Sequence, residues 1–245
     1  MSEIGVSIEH ITPLWVCSDA IRQCYDSGKL SDTKFADRVK RTNCNSKNSD
    51  YSSQSWSPSD KIIGPKDKSL IDRIGNKMKH ESVKNHINFT MSIENITTKT
   101  LLALTRHDIG TEFSVESTRF TCKKNKMSYT LTKDEEINEV LVRHMQDILD
   151  LRAKGKKCDD LAMLLPQSYQ YNLRATMSLT AIQHFLKLRL KPDAHWDIRD
   201  LAEVMYREIP EDYKYLFTDS LYNEDKVTVT MTKAQHKTYL ESLNG

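Results

Sequence analysis

The densest concentration of groups able to hold an anion lies in Thr105-Arg-His-Asp-Ile-Gly-Thr-Glu-Phe-Ser-Val-Glu-Ser-Thr-Arg-Phe120, where two arginines, a histidine and several hydroxyls bracket one glycine. A guanidinium presents a planar fork that pairs two phosphate oxygens, and serine hydroxyls and loop N–H groups add further donors. The segment therefore suits oxyanion binding without needing a basic surface overall. On composition alone the same residues also describe a solvated loop that closes a helix. Ser117 has no nucleophilic role in this reading, because the sequence fixes no base beside it.

Elements that position such a segment can be read on both sides of it. Val6-Ser-Ile-Glu-His-Ile11 alternates as a strand does, and Asp19 to Tyr25 reads as a helix start with Asp19 as cap. Asp67 to Met78 sets Leu70, Ile71, Ile74 and Met78 at helical spacing, His86 to Ile93 returns to strand alternation, and Thr97 or Thr98 can cap a helix running towards Arg106. Beyond Phe120 a short strand is expected at Met127 to Leu131. A long amphipathic helix follows from Lys133 to Lys154, with Ile137, Val140, Leu141, Met145, Ile148 and Leu149 on one face and Gly155 ending it. Two further helices are expected, from about Ser168 to Leu190 and from Asp193 to Arg207, broken at Lys191-Pro192, with Asp193 as cap. A weak strand at Val227 to Met231 and a short terminal helix complete the pattern. Strands come early and helices dominate the second half, which points to an α+β fold. Residues 41–60 are mostly Ser, Asn and Asp with almost nothing apolar to bury, so a flexible polar loop or insertion is expected inside a single domain spanning 1–245.

Composition narrows the function. With 36 Lys+Arg against 34 Asp+Glu the formal charge is +2, so no global field argues for nucleic acid or a membrane surface, and an anion site must be local. The five cysteines (Cys17, Cys24, Cys44, Cys122 and Cys158) are odd in number and scattered, without zinc spacing. They read as free thiols in a reducing compartment. No run approaches the roughly 18 apolar residues of a membrane helix, and the start lacks the basic-then-apolar order of a signal peptide. A cytoplasmic protein without a metal site is expected.

Four segments, taken in order, resemble the flavin-dependent thymidylate synthase family. Ala20-Ile-Arg-Gln-Cys-Tyr-Asp-Ser27 is similar to its Ala-x-Arg-x-Cys-Tyr-x-Ser, and His80-Glu-Ser-Val-Lys-Asn-His-Ile-Asn-Phe-Thr90 to its His-Glu-Ser/Thr, three residues, His, two residues, Phe-Thr. Arg106-His107-Asp108, eight residues and Ser117-Thr118-Arg119-Phe120 resemble its Arg-His-Arg, seven residues and Ser-x-Arg-Tyr. Leu165-Pro166, Phe185-Leu-Lys-Leu-Arg189 and Ala194-His-Trp-Asp-Ile198 follow at about the family distances. The resemblance spans roughly residues 6 to 210, outside the Ser/Asn-rich loop.

What the resemblance implies is an antiparallel sheet packed with helices plus a helical lobe, and an FAD enzyme. Such an enzyme moves a one-carbon unit from methylenetetrahydrofolate to carbon 5 of dUMP, with NADPH as reductant, giving dTMP. It works as a homotetramer with shared active sites. The alternatives are a variant deoxypyrimidine nucleotide hydroxymethylase of the same fold and a non-catalytic flavin- or nucleotide-binding homologue. By the same resemblance Arg106 and His107 contact flavin, as do His80, Ser82, Ser178 and His184. Ser117 and Arg119 hold the dUMP phosphate with Glu116 beside them, a solvated loop acid being the other reading of Glu116. Arg189 is the catalytic cation against the uracil ring. Departures are equally specific: Asp108 stands where the family has a second arginine, Ala162 and Thr180 replace two more, and His195 replaces a glutamine. Arg174 is the nearby candidate to supply a missing cation.

Overall fold

The computed structural model describes residues 4–33, 63–123 and 127–220. The 41–60 loop, Cys44, the strand at Val227 to Met231 and the terminal helix lie outside them.

Strand β1 (Gly5–Ile11) pairs with β2 (Asn88–Thr97), β2 with β4 (Gln170–Ser178), and β4 with β3 (Thr111–Val115). All are antiparallel, in the order β1-β2-β4-β3. Strand alternation gives the sheet two unlike faces. Val6, Ile93, Leu173 and Val115 line up across one face, as do Ile8, Met91, Ala175 and Phe113, and Phe89, Met91, Ile93, Leu173, Ala175 and Met177 are buried there. The other face is polar: Ser7, Ser92, Arg174 and Ser114 form a cross-strand row, Thr90 and Thr176 share a 3.0 Å hydrogen bond, and Arg174 pairs with Glu9 at 2.6 Å.

Helices cover the apolar face. In chain order these are α1 (Leu14–Cys24), α2 (Pro65–Ile71) running into a π-helical turn (Asp72–Lys77), α3 (Glu81–Lys84) and α4 (Thr98–Leu104). After β3 come α5 (Thr118–Lys123), α6 (Glu135–Ala153) and α7 (Cys158–Leu161), and after β4 come α8 (Leu179–Arg189), α9 (Trp196–Glu208) and α10 (Glu211–Lys214). Ile182, Phe185 and Leu186 of α8 and Leu201, Ala202 and Met205 of α9 join the sheet residues in one core, where the Phe89 ring meets Tyr213 and Phe217 edge-on at 5.8 and 6.1 Å. A second, smaller core of Cys122, Met145, Ile148 and Leu161 holds α5, α6 and α7 together as the helical lobe.

Several expectations are corrected. Residues 170–178 are not helix but the inner strand β4. Its Leu, Arg, Ala and Met favour helix in isolation, but two strand neighbours and burial of Leu173, Ala175 and Met177 on one face override that preference. Thr111–Val115, read as loop, is an edge strand. The first helix begins at Leu14 after Pro13, which lets Leu14, Cys17 and Ile21 enter the core, and Asp19 lies within the helix and is not its cap. His195, not Asp193, caps α9, its ring nitrogen accepting from the Asp197 N–H at 3.4 Å. Met127 to Leu131 makes only an isolated bridge, Tyr129 to Tyr169. The long helix is where expected, but Ile137 and Val140 on its apolar face are 54% and 58% exposed.

One buried ion pair ties the first helix to α2. Arg22 donates from Nε and Nη2 to one oxygen of Asp67, at 2.8 and 2.7 Å, and Ser31 and Thr33 hydroxyls donate to the other at 2.6 and 2.5 Å. Burial pushes the Asp67 carboxyl up, but the hydrogen bonds from Ser31, Thr33 and Arg22 and the guanidinium charge outweigh it, and the net shift is downward. Asp67→Ala strands Arg22 without its counter-charge. The expected loss is about 3–5 kcal/mol of unfolding free energy, read as a lower urea midpoint at unchanged slope.

Candidate active site

Helix α4 is anchored at its start. The Thr97 side chain accepts from the Thr100 N–H at 3.1 Å, and the hydroxyls of both threonines donate to the buried carboxylate of Asp197, from Thr100 at 2.6 Å. That carboxylate belongs to the first turn of α9, so the two helix starts are locked together. Past the end of α4 the chain turns through Arg106 to Gly110 into β3. The His107 N–H donates to the Leu104 carbonyl at 3.0 Å, and its own carbonyl accepts from the Thr111 hydroxyl at 2.5 Å.

Gly110 adopts φ +71°, and a Cβ there would lie 2.6 Å from the Ser178 hydroxyl oxygen. Only glycine allows the turn to press this closely on the start of α8. The Ser178 N–H donates to the Gly110 carbonyl at 2.8 Å, while the Ser178 hydroxyl caps α8 by accepting from the Ala181 N–H at 3.3 Å.

This places the His107 ring against α8. It meets Phe185 edge-on at 5.2 Å and His184 at 5.6 Å, and its Nε2 accepts from Arg189 Nε at 3.2 Å. Phe185 and Arg189 are four residues apart and so share a helix face. His107 is 7% exposed, and its Nδ1 is buried without a hydrogen-bond partner. Burial first, then the positive charges of Arg189 and His184, hold the His107 pKa down from its usual 6.5 to about 4. Burial and the neighbouring Arg106 likewise oppose the Arg189 charge. Among the described residues no carboxylate pairs with Arg106 or Arg189. Clustered cations and a buried unpartnered donor form a site suited to anionic and carbonyl oxygens.

Other predicted residues lie elsewhere. His80 and Ser82 are exposed at the start of α3. That helix is fastened to α8 by Lys84 Nζ on Gln183 at 2.8 Å and by the Thr180 hydroxyl on Asn85. Glu116 extends the β3–β4 ladder, its N–H on the Asn172 carbonyl at 2.9 Å and its carboxylate accepting the Asn172 N–H at 3.1 Å. Ser117 is exposed, and Arg119 forks onto Asp159 at 2.7 and 3.2 Å with both side chains more than half exposed, an exchangeable pair. Arg174 is given to Glu9 on the polar sheet face rather than to the Arg106–His107–Arg189 cluster. Asp108 is exposed.

The predicted residues thus fall into two groups at opposite ends of β3, separated by about 14 Å of extended chain. The structural supports of the site were not legible as such. Asp197 stood in a recognised motif and Gly110 inside the anion segment, but nothing in the sequence paired them with Thr97, Thr100 and Ser178.

Comparison with known proteins gives a consistent set. The family model described as thymidylate synthase complementing protein matches residues 8–213. Flavin-dependent thymidylate synthases of Campylobacter jejuni (strain RM1221) and Wolinella succinogenes are each 30% identical to the chain. The first alignment covers 87% of this chain and 95% of that protein, the second 86% and 96%. A crystal structure of thymidylate synthase X from Helicobacter pylori with FAD and dUMP superposes with a TM-score of 0.73 at 25% identity, covering 90% of this chain and 100% of that one.

The depressed His107 pKa has a stability consequence. Between about 4 and 6.5 the unfolded chain binds the proton that the folded site, facing Arg189, His184 and Phe185, excludes. His107 therefore contributes stability that is fully present above pH 6.5 and is lost as pH falls towards 4. Thermal melts of wild type and His107→Asn across this range are expected to converge as the pH drops; a constant gap between them contradicts the assignment.

Proposed function

The chain belongs to the flavin-dependent thymidylate synthase family, and from that premise we propose that it converts dUMP to dTMP with FAD as cofactor, methylenetetrahydrofolate as one-carbon donor and NADPH as reductant. The observation that carries this reading is the meeting of Arg106, His107 and Arg189, where His107 Nδ1 is buried without a hydrogen-bond partner and, among the described residues, no carboxylate pairs with either arginine. A flavin dinucleotide and a pyrimidine nucleotide both present what these groups lack, namely pyrophosphate or phosphate charge and ring carbonyl oxygens. The residues fit FAD. Arg106 supplies a guanidinium for the pyrophosphate, His107 and His184 supply ring nitrogens, and His80 and Ser82, exposed on α3, are the further polar groups proposed for the flavin. Ser178 sits beneath the Gly110 turn with its hydroxyl engaged as a helix cap, so its part is to set the turn. When bound, the flavin supplies the hydride that completes the methyl group.

The chain's own residues bind and polarise. Ser117 and Arg119, with Glu116 bracing the strand end behind them, take the dUMP phosphate, Asp159 giving up the exposed guanidinium. Arg189 places a fixed positive charge beside the uracil ring, where it favours loss of the N3 proton and stabilises charge that develops on the base.

The geometry of β3 supports sites shared between subunits, as in the proposed homotetramer. One nucleotide cannot easily meet Arg189 at one end of the strand and Ser117 at the other within one chain, whereas two chains can each contribute an end. The exposed apolar side chains Ile137 and Val140 of α6 support burial against another subunit. Cytoplasmic residence is supported by the free thiols of Cys17, Cys24, Cys122 and Cys158.

Incubation of the FAD-loaded protein with dUMP, methylenetetrahydrofolate and NADPH is expected to yield dTMP by mass, and a hydroxymethylated nucleotide instead overturns the dTMP assignment. Arg189→Ala is expected to lower turnover at least ~100-fold with the fold retained. Mixing inactive Arg189→Ala and Arg119→Ala subunits is expected to restore activity towards about a quarter of wild type, because random assembly leaves that share of two-chain sites intact. No recovery after verified subunit exchange rules out sharing.

A further inference from the structure

Arginine carries only donors, so the 3.2 Å contact between Arg189 Nε and His107 Nε2 fixes the direction of the hydrogen bond: the imidazole accepts. A ring that accepts at Nε2 is neutral and carries its proton on Nδ1. The ring is buried and packed on two sides. Its backbone is tied on both sides, to the Leu104 carbonyl and to the Thr111 hydroxyl, and its faces and edges are set by Phe185 and His184. The arginine is the mobile partner, with a long stem and, among the described residues, no other hydrogen bond.

We propose that His107 is a positioning residue for Arg189, its fixed Nε2 accepting the arginine's Nε–H so that the two terminal nitrogens are held in one plane and left open for the nucleotide base. This rests on the thymidylate synthase reading and adds to it a reason for the arginine's alignment. A guanidinium anchored through Nε presents its remaining N–H groups in a fixed fork. Without the anchor, Arg106 and the surrounding positive charge push the side chain away from the cluster, since nothing acidic holds it there. Binding then includes the cost of ordering a long side chain. The histidine acts here through the arginine, and its contribution disappears when the arginine is absent.

The test is a double-mutant cycle on dUMP binding to the FAD-loaded protein, measured by calorimetry so that inactive variants remain readable. His107→Asn removes an acceptor at the Nε2 position, because its amide reaches only as far as Nδ1, whereas the His107→Gln amide reaches the Nε2 position. His107→Asn is expected to weaken dUMP binding about tenfold in the wild-type background and by less than about twofold in the Arg189→Ala background. His107→Gln is expected to recover most of the loss. An equal cost of His107→Asn in both backgrounds overturns the inference, as does a His107→Gln variant as weak as His107→Asn, which would assign the effect to ring packing. If Arg189→Ala binds dUMP as wild type does, the assigned role of Arg189 falls and this inference with it. If Arg189→Ala is weak while His107→Asn matches wild type, only the inference falls. Flavin absorbance and urea midpoints of each variant separate loss of cofactor or fold from loss of alignment.

Discussion

The site depends on the close approach of Gly110 to Ser178. Residue 110 carries no side chain and sits at positive φ, so the turn after α4 can rest directly on the start of α8, and one peptide hydrogen bond fixes the distance. Each neighbouring interaction takes its position from this contact. The Ser178 hydroxyl caps the helix that carries Phe185 and Arg189, the Thr111 hydroxyl closes the turn, and His107 is left with its ring against that helix. A side chain at 110 would have to displace the cap itself, so the turn and the helix would separate together.

Around this contact the protein keeps an arrangement that costs stability. Two arginines and two histidines converge with no acidic partner among the described residues, and one buried ring nitrogen has no hydrogen bond. Two buried carboxylates are, by contrast, well satisfied: Asp67 receives four hydrogen bonds from Arg22, Ser31 and Thr33, and Asp197 is held by two threonines. In the cationic cluster one buried donor goes unpaired, at a cost of about 1–3 kcal/mol, and no acidic partner among the described residues offsets it. The well-satisfied carboxylates are the stiff mounts: Asp197 locks the start of α4 to α9, so the Arg106–His107 turn leaves a helix that cannot shift.

The candidate site residues are legible in the sequence because they are local in it. Arg106, His107, Ser117 and Arg119 lie in one polar segment, and Arg189 lies in a motif that a helix places at a regular interval. The strand β4 was not legible, because Leu173, Arg174, Ala175 and Met177 carry helical preference and only pairing with β2 and β3 makes them strand. Nor was β3, whose five residues were absorbed into the loop around them. That second omission matters for function: a loop lets Arg106 and Arg119 fold back on one ligand, whereas an extended edge strand holds them apart. Long-range pairing, invisible to local pattern, sets the distance between Arg106 and Arg119 within one chain.

The departures from the family pattern acquire structural meaning in the same way. Thr180, standing where a guanidinium is expected, donates to Asn85 and fastens α8 to α3, so a charge contact at this position has become a link between two helices of one chain. Arg174, the candidate to supply a missing cation, lies on the polar sheet face, where it pairs with Glu9 at 2.6 Å, and not in the Arg106–His107–Arg189 cluster. Asp108 is exposed and takes no ion pair with Arg106 or Arg189 among the described residues, so its negative charge leaves the cationic cluster uncancelled. What these substitutions remove is charge at the margin of the site. What remains, Arg106, His107 and Arg189, is joined by geometry: a glycine contact, a helix cap and a histidine that accepts from the arginine. With fewer cations around it, the proposed role of Arg189 depends more on its alignment, and a neutral acceptor at Nε is a means of alignment that adds no charge of its own.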